Sequence, residues 1–109
     1  MNKRRRKEIK SLISKLYDIV KCIQCGMQLD FDALSDIICD LECIWNDEEC
    51  YRDNIPENLQ ESIRYTTADE ACDNLECAVD ALNYIEEDDD VEYITKTIND
   101  AIKNLNYAL

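Results

Sequence analysis

Seven cysteines are the most evident candidates for chemistry in this 109-residue chain. Four of them, Cys22, Cys25, Cys39 and Cys43, have the spacing C-x2-C-x13-C-x3-C, and four thiolates can hold Zn²⁺ in a tetrahedron. The first pair resembles a zinc knuckle, but the second pair is one helical turn apart, whereas zinc ribbons usually carry both pairs on tight turns. Packing is therefore the preferred role, with zinc binding, disulfide formation or redox use as alternatives, and no cofactor is expected.

The residue patterns of common catalytic sites are missing from the sequence. It contains no His, a single Gly at position 26, and no Ser or Cys within a recognisable nucleophile and base pattern. The acidic run that begins at Glu86 lacks the glycine and the twelfth-position glutamate of an EF-hand calcium loop. We therefore expect a protein that is not an enzyme.

A basic block near the start of the chain is the candidate anion-binding site, and it comprises Arg4, Arg5, Arg6 and Lys7. Cations in the first turn oppose the dipole of a helix, so the block is not there to stabilise the helix that contains it. Three roles remain open: a solvated end neutralised by acidic groups, a phosphate-binding patch in which arginines make bidentate contacts, or a targeting signal. Direct nucleic-acid binding is not expected, because no aromatic residue interleaves with the block and the remainder of the chain repels a polyanion.

Acidic residues dominate the rest of the chain, where residues 22–109 contain 23 Asp and Glu but only four Lys and Arg. The densest run, and the candidate partner-binding surface, comprises Glu86, Glu87, Asp88, Asp89, Asp90 and Glu92. Carboxylates held on rigid helices could resemble the phosphates of a nucleic acid and attract a basic partner. The alternative is that the acidic residues only provide solubility.

Two amphipathic helices are predicted in the first half of the chain, where apolar residues recur at spacings of three and four. The first is predicted over Lys3–Gln24 and ends before Gly26, which tolerates the positive φ of a C-terminal stop. The second is predicted to begin after Asp30 or Asp32, either of which can cap its first turn, and to end near Asp53.

Two further helices are predicted after a connector, NIPENLQESIRY (54–65), in which Pro56 suits the start of a short helical turn. Thr67 and Glu70 have capping-box spacing and predict the start of the third helix. The fourth is predicted to follow Asp90, although one long kinked helix is an alternative. The expected fold is all-α, a three- to four-helix bundle of antiparallel helices in a single domain over residues 1–109.

The cysteines of the second predicted helix also suggest an assembly. Cys39, Cys43 and Cys50 fall on the face opposite its apolar stripe, so a second copy could cover that face, and we expect a homo-oligomer. No apolar run approaches membrane-spanning length and no signal-peptide pattern is evident, which predicts a cytoplasmic protein without membrane contact.

Several short motifs are shared with a known group of sequences. They comprise Met1–Lys3, Arg5–Lys7, Asp47–Glu49, Tyr51, Asn54, Pro56, Glu57, Leu59, Gln60, Ser62 and the segment DNLECAVDAL (73–82). Through them the chain resembles a family of small, acidic, helical proteins of uncharacterised function from phages and prophages of Gram-positive bacteria. The resemblance covers about two-thirds of the chain; it departs around residues 24–44, which look like an insertion, and at SIRY (62–65).

This resemblance implies a phage setting within a bacterial host cell, where small acidic proteins often bind host machinery. The expected function is that of an anti-defence inhibitor, which uses an acidic helical surface to block a basic nucleic-acid-handling host protein. One alternative is an oligomeric sponge that sequesters a phosphorylated signalling nucleotide through the N-terminal arginines. Another is a structural or assembly protein whose charged ends pair head to tail.

Overall fold

Four α-helices account for most of the computed structural model, which describes residues 1–59 and 62–109. They are α1 (Lys3–Gln24), α2 (Phe31–Asp53), α3 (Ile63–Asn83) and α4 (Val91–Ala108), and a 3₁₀ helix at Glu57–Leu59 lies between α2 and α3. No described residue belongs to a β-strand, so the predicted all-α class is confirmed. Helices α3 and α4 are separate, which rejects the single kinked helix, and Gln60 of the shared motif lies outside the described residues.

Three of the helix boundaries agree with the capping residues read from the sequence. The Asp30 side chain accepts a hydrogen bond from the backbone N–H of Ala33 at the start of α2 (3.1 Å), and Asp90 accepts one from Tyr93 at the start of α4 (2.7 Å). Gly26 follows α1 with a φ of 90°, a backbone conformation that residues with a Cβ atom rarely adopt. These local contacts end and begin the helices where the apolar stripes end and begin.

The predicted start of the third helix at Thr67 is wrong. Helix α3 begins at Ile63, and its N-cap is Ser62, whose Oγ accepts a hydrogen bond from the backbone N–H of Tyr65 (3.2 Å). Ser62 also donates its own N–H to the carbonyl of Leu59 (3.0 Å), so the 3₁₀ turn leads directly into the cap. The last residues of the predicted connector therefore belong to α3.

The helices form an antiparallel bundle in which chain neighbours pack against each other and α4 closes the ring against α1. Arg5, at the start of α1, bonds to Glu48 near the end of α2, and Arg52, at the end of α2, bonds to Asp69 within α3. Because Asp69 lies almost two turns inside α3, the first turns of that helix extend beyond the end of α2. This offset contributes to a long axis of 53 Å against widths of 21 and 18 Å.

The apolar stripes of all four helices meet in one core. The side chains that are less than 2% exposed include Ile9, Leu16, Leu34, Leu41, Leu75, Leu82, Ile98 and Leu105. Burying a side chain of this size stabilises the folded state by roughly 1.5–3 kcal/mol, so the core provides the main driving force for folding. None of the described helices combines the length and the apolar character that crossing a bilayer requires.

Candidate protein-binding surface

The basic block predicted as one anion-binding site is divided by the fold. The side chain of Arg5 points into the bundle and is 9% exposed, and its Nε donates a 2.9 Å hydrogen bond to Oε2 of Glu48, which is fully buried. The amino group of Met1 lies 3.6 Å from Oε1 of the same carboxylate, and the Tyr51 ring centroid lies 5.7 Å from the Arg5 guanidinium carbon. Arg5 is thus committed to an ion pair that joins α1 to α2 and is not available to an external phosphate.

The other members of the block remain on the surface. Arg4 lies near Glu8 (3.7 Å) and Asp47 (3.8 Å), while Arg6 and Lys7 are exposed and form no ion pair with a described carboxylate. Helical spacing places Arg6 and Lys7 on the outer face of α1. They do not converge on a cavity with Arg5, as a phosphate-binding pocket would require.

The acidic run forms the turn between α3 and α4 and the beginning of α4. Asp89 accepts a hydrogen bond from the backbone N–H of Glu86 (2.8 Å), and Asp90 caps α4, so these two residues also hold the turn in shape. Carboxylate oxygens of Glu86, Asp88 and Asp89 lie within 4.8 Å of one another. Such a concentration of like charges produces a strongly negative local potential and favours the approach of a cation or a basic group.

The four cysteines with zinc-like spacing are not brought together. Within residues 1–59 and 62–109, the acidic cluster above is the one group of three or more Cys, Asp or Glu side chains whose ligand atoms approach each other this closely. Cys22, Cys25, Cys39 and Cys43 are all free and exposed. The spacing along the sequence therefore does not correspond to a shared site in space.

A buried thiol that the sequence analysis did not single out is found in α3. Cys72 is 2% exposed and lies on the core face of the helix, whereas the other six cysteines are exposed. Burial disfavours the thiolate and raises the pKa of Cys72 to about 11. The nearby charges contribute less: Arg52 lowers this pKa, and the carboxylates of Glu48, Glu49 and Asp69 raise it. Cys72 is therefore a packing residue with an unreactive thiol.

Arg52 provides a second connection, between α2 and α3. Its guanidinium donates hydrogen bonds to Asp53 (3.1 Å) and to Asp69 (2.9 Å). The hydrogen bond to Asp53 is the largest cause of a rise in the pKa of Arg52 above its already high ordinary value, and the bond to Asp69 adds to it. Burial acts in the opposite direction and lowers this pKa. This pair is partly solvated, so its contribution to stability is smaller than its geometry suggests.

The acidic turn lies at the same end of the bundle as the connection between α1 and α2. A cavity of about 470 Å³ is lined from one side by Met27 and Phe31 and from the other by Glu87 and Asp89, which shows that the two loops are neighbours. We call this region, residues 25–30 together with residues 84–92, the acidic end. The exposed basic residues at the start of α1 lie at the opposite end of the long axis.

An open groove runs between α1 and α2 from the acidic end towards the start of α1. Its wider part has a volume of about 400 Å³, and it continues into a second part of about 370 Å³ that shares Lys15 and Asp40. Buried aliphatic side chains form its floor, and the exposed side chains of Asp18, Asp36 and Asp40 stand on its walls. We call this feature the α1–α2 groove; the sequence analysis did not identify it.

Comparison with other proteins adds no assignment to this description. No protein-family model matches the chain, and neither the curated proteins nor the solved structures include a significant match.

Proposed function

We propose that the protein is a non-enzymatic binding protein that blocks a basic, nucleic-acid-handling protein with its acidic end. The observation that carries this proposal is the juxtaposition of the carboxylate cluster of Glu86, Asp88 and Asp89 with the acidic start of the α1–α2 groove. The cluster lies in a turn that the Asp89 side chain holds through the N–H of Glu86, and the groove is built from α1, α2 and their connection, so the carboxylates need little ordering when a partner arrives. Preorganised complementary charge raises association rates and selects basic partners.

The partner class follows from the sign and the density of the charge. A protein that binds nucleic acids presents Lys and Arg at the spacing of phosphates, and a formal charge of -13 on 109 residues is attracted to such a surface. Occupying that surface excludes the nucleic acid, which is how a binding protein can inhibit without catalysis. The resemblance to phage and prophage proteins adds a bacterial host as the setting and a host defence protein as the target.

A nucleotide sponge has less support than this inhibitor. Its binding site would need several arginines that converge on a phosphate, yet Arg5 is bonded to Glu48 inside the bundle. Arg4 already lies near Glu8 and Asp47. The remaining basic residues would have to attract an anion against the negative charge of the rest of the molecule.

The proposal is tested by capture of proteins from a nuclease-treated bacterial lysate. The variant Glu86→Lys/Glu87→Lys/Asp88→Lys reverses exposed charge at the acidic end and spares Asp89 and Asp90, which shape the turn. The control variant Glu57→Lys/Glu70→Lys/Asp73→Lys makes the same change in net charge at exposed positions toward the other end of the bundle.

Retained proteins are identified by mass spectrometry and sorted by isoelectric point. We expect the wild type and the control variant to retain basic nucleic-acid-binding proteins and the acidic-end variant to lose them. Equal retention by both variants would show that net charge, rather than the acidic end, is responsible, and the proposal would fail. The same is true if no basic protein is retained.

A further inference from the structure

The α1–α2 groove has the dimensions and the lining of a site for a helix. Along α1 it is lined by residues from Glu8 to Ile23, and along α2 by residues from Ala33 to Asp47. At a rise of about 1.5 Å per residue, each wall is roughly 20 Å long, which corresponds to about four turns of a bound helix. The groove follows the axes of two antiparallel helices, and a third helix can lie between them.

The floor and the mouth of the groove are apolar. Ile19 and Ile37 form the floor of its wider part, Leu12 and Ile44 form the floor of the continuation, and all four are buried in the core. Met27 stands at the mouth with 61% of its surface exposed. A methionine is flexible and polarisable, and such side chains adapt to the apolar face of a bound helix.

The walls of the groove are acidic. Asp18 projects from α1, Asp36 and Asp40 project from α2, and none of these carboxylates forms an ion pair with a described Lys or Arg. Lys15 is the one basic side chain that lines the wider part. The walls therefore favour positive charge on both sides of the apolar floor.

We propose that the α1–α2 groove binds a basic amphipathic helix of the partner protein, with its apolar face on the floor and its Lys and Arg residues against the walls. This inference rests on the proposed function and names the element of the partner that is recognised. An amphipathic helix in an apolar groove is a recurring mode of recognition, and its anchors repeat at the three- and four-residue spacing that fits the floor. An extended peptide would find no strand edge here, and a nucleotide would be repelled by the acidic walls.

A synthetic peptide provides a direct probe. We use a helical peptide of about 14 residues in which Leu forms one face and Lys and Arg form the other, which matches the four-turn length of the groove. The control peptide has the same composition but a scrambled order that distributes Leu around the helix. Binding is measured by fluorescence anisotropy at physiological ionic strength, where purely long-range attraction is screened.

The cysteines of the wild-type chain report the place of binding. Cys22 lines the wider part of the groove, Cys43 lines its continuation, and Cys77 is exposed on α3 outside the groove. We expect the amphipathic peptide to slow maleimide labelling of Cys22 and Cys43 by about tenfold and to leave Cys77 unchanged. The scrambled peptide has no apolar face for the floor of the groove, so we expect it to bind at least about tenfold more weakly, which corresponds to about 1.4 kcal/mol.

Two variants separate the shape of the groove from its charge. Ala33→Trp places a large side chain in the groove without a change in charge, and Asp36→Lys/Asp40→Lys reverses charge on one wall. Glu76→Lys/Asp80→Lys is the matched control, with the same spacing on the exposed face of α3. We expect both groove variants to lose the peptide and the control to keep it, with circular dichroism confirming that each variant is folded.

Equal binding of the two peptides, or equal labelling of all three cysteines with the peptide bound, would overturn the inference. The lysate experiment distinguishes this failure from a failure of the proposed function. If the two groove variants still capture basic proteins while the acidic-end variant does not, the groove assignment is wrong and the proposed function stands. If the acidic-end variant captures them as well as the wild type does, the proposed function itself is wrong.

Discussion

The buried ion pair between Arg5 and Glu48 is expected to make the bundle sensitive to the loss of either partner. Its atoms are 2.9 Å apart, the Glu48 side chain is 0% exposed and the Arg5 side chain is 9% exposed. Removing one partner of a buried pair leaves an uncompensated charge, which costs about 3–5 kcal/mol. The nearby amino group of Met1, 3.6 Å from Glu48, offsets part of this cost. We therefore expect Arg5→Met to lower the free energy of unfolding by about 3 kcal/mol.

The assay is urea denaturation followed by circular dichroism at 222 nm, with a double variant as the internal test. Arg5→Met/Glu48→Leu removes both side-chain charges at similar volume and leaves only the Met1 amino group, which is free to move into solvent at the chain end, without its carboxylate. Because such paired replacements are often neutral, we expect this variant to recover most of the loss, to within about 1 kcal/mol of the wild type. Asp69→Asn, which weakens the partly solvated pair with Arg52, is the control and should cost less than about 1 kcal/mol. A loss below about 1 kcal/mol for Arg5→Met would refute the reasoning, because the buried charge would then not matter. A double variant as unstable as the single variant would show that Arg5 acts through packing.

The remaining predictions concern the start of α3 and the buried thiol. Ser62→Ala should lower the free energy of unfolding by about 1 kcal/mol, because Ser62 is the N-cap of α3, and Thr67→Ala should lower it by much less. If urea denaturation shows Thr67→Ala to be the more destabilising of the two, the helix begins at Thr67 instead. In the native protein maleimide should label six cysteines and spare Cys72, and mass spectrometry that finds Cys72 labelled as fast as the others would contradict its burial. Because the pKa of Cys72 rises from 9.0 to about 11 on folding, its contribution to stability is complete below pH 9 and is lost as the pH rises towards 11. The wild type should therefore lose stability over that interval more steeply than Cys72→Ala, and parallel curves would argue against the raised pKa.

The helices and most of their ends could be predicted because the relevant interactions are local. Asp30 and Asp90 are cap residues next to the start of an apolar stripe, and Gly26 follows the end of one, so neighbouring residues decide these boundaries. The predicted start at Thr67 was wrong because a capping-box spacing does not by itself determine where a helix begins. Ser62 offers the same cap five residues earlier, directly after the 3₁₀ turn, and the longer helix forms more backbone hydrogen bonds.

The division of the basic block could also have been found from spacing. Arg5 precedes Ile9 by four residues and Leu12 by seven, so it falls on the core face of α1. Glu48 follows Ile44 by four residues and continues the apolar stripe of α2 in the same way. Two opposite charges on the core faces of neighbouring helices indicate a buried ion pair, but their charge led the sequence analysis to assign Arg5 to the surface.

The α1–α2 groove could not have been predicted from the sequence. Its floor residues are ordinary members of two apolar stripes, and Asp36 and Asp40 are ordinary exposed residues of an acidic helix. The cavity arises from the separation of α1 and α2, which depends on how the whole bundle packs. The acidic end also depends on the packing of the whole bundle, because it consists of two neighbouring loops that are about 60 residues apart in the sequence.

Competition with DNA tests the central claim most directly. A basic protein captured by the wild type is bound to a fluorescent DNA duplex, and this complex is titrated with the wild type and with Glu86→Lys/Glu87→Lys/Asp88→Lys. We predict that the wild type releases the DNA at a stoichiometric ratio and that the variant requires a much higher concentration, since the acidic end would occupy the DNA-binding surface of the partner. Retention of the DNA at saturating wild-type protein, or equal release by the variant, would contradict the account.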